Sequence, residues 1–423
     1  MIGERSLFRY ELAAVLIIKD EAVYIKEWLD YHLLIGIDHF YVYDNDSSDN
    51  LTEILKPYVA DGLVTYHSIA GKCAQCAAYN DALGRYRFDC RYMICFDVDE
   101  FIYPKNNRRL LELVDETFAE NDSASEFAIY WQNFGSSGIK TADFGKGVLD
   151  RFTLRAIEDA EQNRYFKTIV NPREIKGFVD PHFAIPFKGR NIVDSRGNKI
   201  RIFIQGKSIQ IYGQFQNMTE LIALNHYVVK SREEYERKIA RGDAFYASNP
   251  RNEENFRKFD LNDVFDDGII KYRDELMSSE RYTGIKNRKF FARILNAVLE
   301  ILSPELENNA SEEFYRGQMH IFMTCRAAVC MLRRETKLLT ETESNLLEEA
   351  AINCMLKSIE TAEEWQIELL FYELPKLLVR PFPAVEEIKK IYKHVIIPNI
   401  LVNFRVHRDW NNYMHFEFVN QFL

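Results

Sequence analysis

No stretch of the 423-residue sequence approaches ~20 uninterrupted apolar residues, so the sequence predicts no membrane-spanning helix. Met1 to Glu11 also lacks an apolar core of signal-peptide length. Positive charge is in deficit, with 54 Lys and Arg against 64 Asp and Glu and a formal net charge of −10. That balance argues against a surface built for nucleic acid or acidic lipid, although local basic patches remain compatible with it. A paired cysteine framework is missing too. The seven cysteines (Cys73, Cys76, Cys90, Cys95, Cys325, Cys330, Cys354) are odd in number and scattered, which suits a reducing compartment. Cys73 and Cys76 form C-x-x-C without a second pair at zinc spacing, and both read as packing residues of a helix. There is no internal repeat and no low-complexity tract. The expectation is a soluble cytoplasmic protein, with peripheral contact to the inner face of a membrane left open.

What is present is ample apolar material. With 47% hydrophobic and 13% aromatic residues the chain can bury a sizeable core, and its length favours two domains. Leu12–Ile18 is a short β-branched run of the kind buried on both faces of a sheet. Asp20 is placed to cap a helix whose Val23, Trp28, Leu29 and His32 to Leu34 share a face and which ends at Gly36. His39–Tyr43 is a second strand closed by the polar turn Asp44 to Asp49, and a helix then runs to about Tyr58. Leu63–His67 is a third strand, residues 72–86 a helix, and Tyr92–Phe96 a fourth strand ending on Asp97. Strands alternating with helices predict an α/β fold with a mostly parallel, Rossmann-like sheet flanked by helices. Short strands and long loops follow between Phe127 and Tyr227 (Phe127–Trp131, Ile202–Ile204, Ser208–Tyr212), and Ser231 to Glu234 is a capping box opening a basic helix. Beyond about Lys271 the pattern is almost wholly helical, with further capping boxes at Thr340 to Glu343 and Thr361 to Glu364. The expected division is residues 1–275, an α/β domain, and 276–423, an all-helical domain.

Ligands of such sheets bind beyond the carboxyl ends of the strands, and the acidic clusters Asp44–Asp49 and Asp97–Glu100 fall there. Asp97-Val98-Asp99, two carboxylates at i and i+2 just after a buried strand, suits a divalent cation and a diphosphate leaving group. Asp99 would hold the metal, with Asp97 on ribose or metal. An acidic strand end of no special role is the competing explanation.

Several spaced blocks also resemble a known family. Ile17-Ile-Lys-Asp-Glu21, Glu27-Trp-Leu-Asp-Tyr-His32, Gly36, Tyr43-Asp-Asn-Asp-Ser-Ser-Asp49 and Phe96-Asp-Val-Asp-Glu-Phe101 stand in order. Asn225-His-Tyr-Val-Val-Lys230 leads to Arg241-Gly-Asp243. Together, over about residues 10–265, they resemble a family-2-like glycosyltransferase related to family 92, with the GT-A fold. The resemblance implies that Asp44 lies near the nucleotide base, that Asp97 and Asp99 are the D-x-D, and that His226 is a further metal ligand. It places Lys19, Glu21, Asn45, Gln75 and Asn80 in the nucleotide-sugar site, where a polar helix face is the alternative for the last two. It implies Mn²⁺ or Mg²⁺ as cofactor.

An inverting transferase needs a base for the acceptor hydroxyl, and Asp180, His182 and Asp243 are candidates in or beside loops. Trp131 and Phe134 offer aromatic faces to an acceptor sugar, or pack in the core. Lys230, Arg232, Arg237, Lys238 and Arg241 face either a diphosphate or solvent. The aromatic C-terminal end (Tyr413, Phe416, Phe418, Phe422) allows packing, self-association or a partner, and decides none of them. The expected activity is metal-dependent transfer of a hexose from a UDP-sugar to a saccharide or glycolipid acceptor, with inversion, in surface polysaccharide or lipopolysaccharide synthesis. A phosphohydrolase of the haloacid-dehalogenase type and a non-catalytic sugar-nucleotide-binding protein are the alternatives.

Overall fold

The structure is a computed structural model that describes residues 7–205, 208–213, 215, 218–272, 288–336 and 338–378. The chain falls into two compact units. One comprises residues 10–186 and 191–286, the other 287–423 with 1–9 and 187–190. The expected boundary at 275/276 and the aromatics Tyr413, Phe416, Phe418 and Phe422 lie outside the described residues.

The first unit is built on an eleven-stranded sheet. Its elements begin with β1 (Tyr10–Ile18), α1 (Ala22–Leu34), β2 (His39–Asp44), α2 (Leu51–Ala60), β3 (Val64–Ser68), α3 (Gln75–Tyr86) and β4 (Cys90–Cys95). β5 (Glu100–Pro104), α4 (Leu110–Glu120), β6 (Ala124–Asn133), α5 (Val148–Arg151) and β7 (Leu154–Arg155) follow. Then come β8 (Phe166–Val170), β9 (Ile175–Phe178), β10 (Ala184–Pro186), β11 (Asn191–Val193), β12 (Lys199–Gln205), β13 (Ser208–Tyr212) and β14 (Ile222–His226). The unit closes with α6 (Arg232–Arg241), α7 (Glu253–Phe259) and β15 (Val264–Phe265). Strands β3, β2, β1 and β4 run parallel in that spatial order. β8 is antiparallel between β4 and β6, while β14 lies parallel to β6 and antiparallel to β5.

β1 is buried on both faces, as its composition predicts. Leu12, Ala14, Leu16 and Ile18 enter one core with Leu29 of α1, Leu55 of α2 and Val114 of α4. Ala13, Val15 and Ile17 enter another with Ala78, Tyr79 and Ala82 of α3. Each fully buried Leu or Val contributes about 1.5–3 kcal/mol of hydrophobic stabilisation, and this two-sided burial holds the four carboxyl ends in one row. α1 departs from expectation in two ways. Val23 is 57% exposed, because at 100° per residue it lies well off the face of Trp28. Asp20 is not the helix cap: it sits at φ 48° and accepts from Ser48 N–H at 2.7 Å and Ser48 Oγ–H at 3.0 Å. Asp49 instead accepts from the Ala22 N–H at 2.8 Å, so the turns after β1 and β2 are laced together. α1 does end as expected, with Gly36 at φ 104°, a conformation glycine adopts without penalty. α3 begins only at Gln75, which leaves Cys73 exposed in the preceding turn and not in packing. Both Ser231 and Thr340 form the expected capping boxes.

In the second unit α8 (Arg288–Leu306), α9 (Glu312–Tyr315), α10 (Met319–Glu335), α11 (Glu341–Lys357) and α12 (Glu364–Leu378) are all helical. α10 and α11 pack side by side and both touch α8. Val298, Leu302, Phe322, Val329, Leu332, Ala351 and Cys354 are buried. Thr361 is not the cap of α12. Its hydroxyl donates to Ser358 O at 3.2 Å, and the Glu363 N–H is satisfied by Gln366 Oε1 at 2.9 Å. No helix among the described residues is long and apolar enough to cross a membrane.

Candidate active site

A cleft of about 650 Å³ opens beyond the carboxyl ends of β1, β2 and β4, a size usual for small-molecule sites. Lys19, Glu21, Asn45, Gln75, Asp97, Asp99, Trp131, His182, His226 and Asp243 all line it. Ten residues scattered over 225 positions converge because the parallel strands end together and β14 returns beside β5.

The D-x-D is asymmetric. Asp97, 36% exposed at its side chain, accepts from Gln75 Nε2–H at 2.8 Å and from Lys167 Nζ–H at 3.1 Å. Asp99 is buried, and Lys238 Nζ of α6 donates to it while also donating to Val228 O at 3.0 Å. The β5–β14 register sets His226 opposite Glu100, which brings its Nε2 to 3.7 Å from Asp99 Oδ1. Burial works to raise the Asp99 carboxyl, but Lys238 and His226 outweigh it and hold Asp99 ionised, well below the usual carboxylate range. Burial lowers the Lys238 ammonium to about 8 against the pull of Asp99. The His226 imidazole is likewise depressed by burial, although Asp99 opposes the shift, so it stands neutral.

Behind the D-x-D lies a second layer. Glu100 is fully buried, accepts from the Asp97 N–H at 2.9 Å and from Trp131 Nε1–H at 2.7 Å, and stands 3.8 Å from Lys167 Nζ. Burial raises it to about 8, with Lys167 pulling the other way. Lys167 is itself buried, and the neighbouring carboxylates Asp97 and Glu100 outweigh that burial and raise its ammonium above the ordinary lysine value. Lys167 also donates to Pro181 O at 2.9 Å. The sequence singled out neither Glu100 nor Lys167. A lysine inside the apolar strand Phe166–Val170 was the available signal, since a buried charge requires a partner.

The other expected residues divide. Glu21 pairs with Arg241 of α6, whose guanidinium also donates to Lys19 O at 3.2 Å. Asn45 Nδ2–H donates to Ile69 O at 2.9 Å and Gly71 O at 3.0 Å, holding the turn after β3. Three of the expected residues stand off the cleft wall. Asp44 is buried at the end of β2, accepting from Tyr66 Oη–H at 2.6 Å and the Ser47 N–H at 2.9 Å, and does not line the cleft. The Asn80 amide is consumed by both backbone groups of Phe178, at 2.7 and 2.8 Å, and acts as a strut between α3 and β9. Phe134 is wholly buried against Tyr227, a core residue. Trp131 does reach the cleft, its ring 4.0 Å from that of His226. Of the basic cluster, Lys238 and Arg241 face the cleft, whereas Arg232 and Arg237 pair outward with Glu236 and Glu233. Lys230 is buried over the Tyr24 ring.

Two carboxylates and a neutral imidazole are ligands a hard divalent cation accepts, and His226 Nδ1 is buried without a protein hydrogen-bond partner. The donor types therefore fit. They do not form a ready-made cage: among the described residues no three His, Cys, Asp or Glu stand close enough together to hold a metal. Lys167 and Lys238 balance the charge of the pair instead. With Lys19, Lys72 and Arg251 also on the wall, the cleft offers several cations to a polyanion and carboxylates to a metal.

Comparison with known proteins places this geometry. A glycosyltransferase family 92 protein of Ricinus communis is 29% identical over 172 residues, 39% of this chain and 29% of its own length. One of Arabidopsis thaliana is 22% identical over 251 residues, 57% of this chain and 39% of its own length. The galactan β-1,4-galactosyltransferase GALS2 of Arabidopsis thaliana is 38% identical over 89 residues, 19% of this chain and 17% of its own. The chain thus spans less than half the length of these curated relatives. Among solved structures, S. aureus TarS 1–349 matches at 12% identity and a TM-score of 0.28, covering 86% of this chain and 92% of that one. The model of glycosyltransferase family 92 matches residues 14–241, which hold the whole row of strand ends, the D-x-D and α6. With more than half of its residues inside that match, the chain belongs to glycosyltransferase family 92.

Proposed function

We propose that the cleft binds a UDP-sugar and that the chain transfers its hexose to a saccharide or glycolipid acceptor with inversion. The observation that carries this reading is the pair Asp97 and Asp99 at the end of β4, set in a cleft whose wall also presents Lys167, Lys238 and Arg241. Such a wall suits a diphosphate leaving group, because the charge that develops as the glycosidic bond breaks meets preorganised cations. Asp99 and His226, with Asp97, would hold Mn²⁺ or Mg²⁺, and that ion would supply further neutralisation of the departing diphosphate. Trp131 offers its ring to an apolar sugar face. Relatives described as galactan β-1,4-galactosyltransferases make UDP-galactose the first donor to try. Surface-glycan synthesis at the cytoplasmic face of a membrane is the setting we propose.

The test is direct. Thermal shift with UDP and Mn²⁺ should show stabilisation that is lost in Asp99→Ala, and a panel of UDP-sugars should show UDP release from at least one. No stabilisation by UDP with the cation, or stabilisation unchanged in Asp99→Ala, would sink the donor assignment. A sugar-nucleotide-binding protein without catalysis would bind UDP yet release none from any UDP-sugar.

A further inference from the structure

We infer that His182, oriented by Asp180, is the general base that takes the acceptor's proton. This rests on the donor reading above and deepens it.

Inversion in one step needs a proton acceptor on the wall where the acceptor enters, separate from the groups that grip the diphosphate. Three side chains were candidates from sequence, and the structure treats them differently. Asp243 lines the cleft, but its carboxylate is already committed. Oδ1 accepts from the N–H groups of Phe245 and Tyr246 at 2.8 and 2.7 Å, and Oδ2 pairs with Arg251 at 2.8 Å. A carboxylate so saturated is a loop brace and a poor base.

Asp180 and His182, in contrast, are one unit. His182 Nδ1 lies 2.7 Å from Asp180 Oδ1, and the same oxygen accepts the His182 backbone N–H at 2.9 Å. Burial works to raise Asp180, but its bonds to His182 outweigh that and hold it ionised. An ionised carboxylate cannot donate, so the proton of a neutral His182 resides on Nδ1 and the lone pair on Nε2. His182 lines the cleft and keeps 27% of its side chain exposed, whereas Asp180 keeps 10%. The arrangement is a buried carboxylate fixing the tautomer of a reachable imidazole.

Its loop is also tied to the D-x-D. Lys167 donates to Asp97 Oδ2 and to Pro181 O, so the residue before His182 is tied by one ammonium to the D-x-D. The rings of Trp131 and Tyr165 stand 5.6 and 6.0 Å from that of His182, giving an acceptor sugar an aromatic floor beside the base. Lys167 of β8, Cys76 of α3 and Tyr246 after α6 stand within electrostatic range of Asp180, and the Tyr165 ring before β8 faces the His182 imidazole.

The step balances. An acceptor hydroxyl oxygen forms a bond to the anomeric carbon, and the bond from that carbon to the phosphate oxygen breaks. The electron pair leaves with UDP, and the hydroxyl proton passes to His182 Nε2. The resulting imidazolium is stabilised by Asp180. Water in the acceptor's place gives donor hydrolysis by the same route, so the acceptor need not be known for the test.

UDP release from UDP-galactose and the other UDP-sugars of the panel is measured for His182→Gln and Asp180→Asn, alongside UDP affinity. His182→Gln should lower kcat about 10²–10⁴-fold with UDP affinity within twofold of wild type. Asp180→Asn, a positioning change, should lower kcat while leaving UDP affinity and the KM for the donor unchanged, because the imidazole loses the carboxylate that fixes its tautomer. Turnover of His182→Gln within about fivefold of wild type overturns the assignment, as does a loss of UDP affinity matching the loss of kcat. An unchanged kcat in Asp180→Asn removes Asp180 from the unit. A wild type that neither binds UDP nor releases it from any UDP-sugar overturns the donor reading, and this inference with it. Failure of His182→Gln alone leaves the donor reading standing.

Discussion

Replacing Glu234 with alanine should cost far more than a typical helix substitution. Glu234 lies in the first turn of α6, and both its oxygens meet Arg151 of α5, at 2.7 and 2.9 Å. The partners keep only 4% and 1% of their side-chain surface exposed. Glu234 also closes the capping box with Ser231 and accepts from Tyr24 Oη–H at 2.9 Å. Truncation to Glu234→Ala leaves the Arg151 guanidinium buried without its counter-charge, and breaking such a pair costs about 3–5 kcal/mol. For a unit of this size that corresponds to a fall in Tm on the order of 10 °C, read by thermal unfolding followed by circular dichroism. Arg151→Ala should cost a similar amount, and the double variant little more than either single one, since the second truncation removes the orphaned charge. Singles below about 1 kcal/mol, or a double equal to the sum of the singles, would refute the reasoning. The pair also has a pH signature. Burial works to raise Glu234, but Arg151 and Ser231 hold its carboxyl below the ordinary value of 4.5. Its stabilisation is therefore complete above pH 4.5 and is lost as pH falls through the depressed value.

Other consequences are open to measurement. Burial raises Glu126 to about 8 from 4.5, against hydrogen bonds from the Ala184 N–H and Thr168. A raised folded value means stability present at acid pH and lost as pH climbs through about 8. Glu126→Gln should flatten the fall in urea midpoint between mildly acid and alkaline buffer, and parallel slopes would contradict this. Lys238→Met removes the ammonium from Asp99, so Mn²⁺ affinity measured calorimetrically should rise about tenfold, equivalent to ~1.4 kcal/mol; unchanged affinity would show that the two cations do not compete. Phe134→Ala should cost about 3–5 kcal/mol as a core truncation while leaving the KM of any acceptor unchanged, whereas Trp131→Ala should raise that KM.

The parallel half of the sheet was legible because β1, β2 and β4 are short apolar runs closed by polar turns, and burial on both faces leaves no alternation to misread. The position of the cleft followed from where those runs stop. Caps were less legible. Asp20 has the right chemistry to cap α1, yet Asp49 does so from another turn, a pairing set by tertiary contact. Side-chain roles were least legible where one residue type serves two purposes. The amides of Gln75 and Asn80 lie five positions apart on α3; one reaches Asp97 and the other braces β9. Asp44 ends β2 and Asp97 stands two residues beyond β4, but only the second opens onto the cleft. Lys167 and the buried role of Glu100 escaped notice because a buried ion network is defined by partners distant in sequence.

Lys167 grips the loop before His182 through a backbone carbonyl, not through any side chain. Every amino acid supplies that carbonyl, so position 181 is free to change its residue while the attachment of the loop to the D-x-D persists. Position 181 can thus vary without loosening the tie between Asp97 and the loop that carries Asp180 and His182.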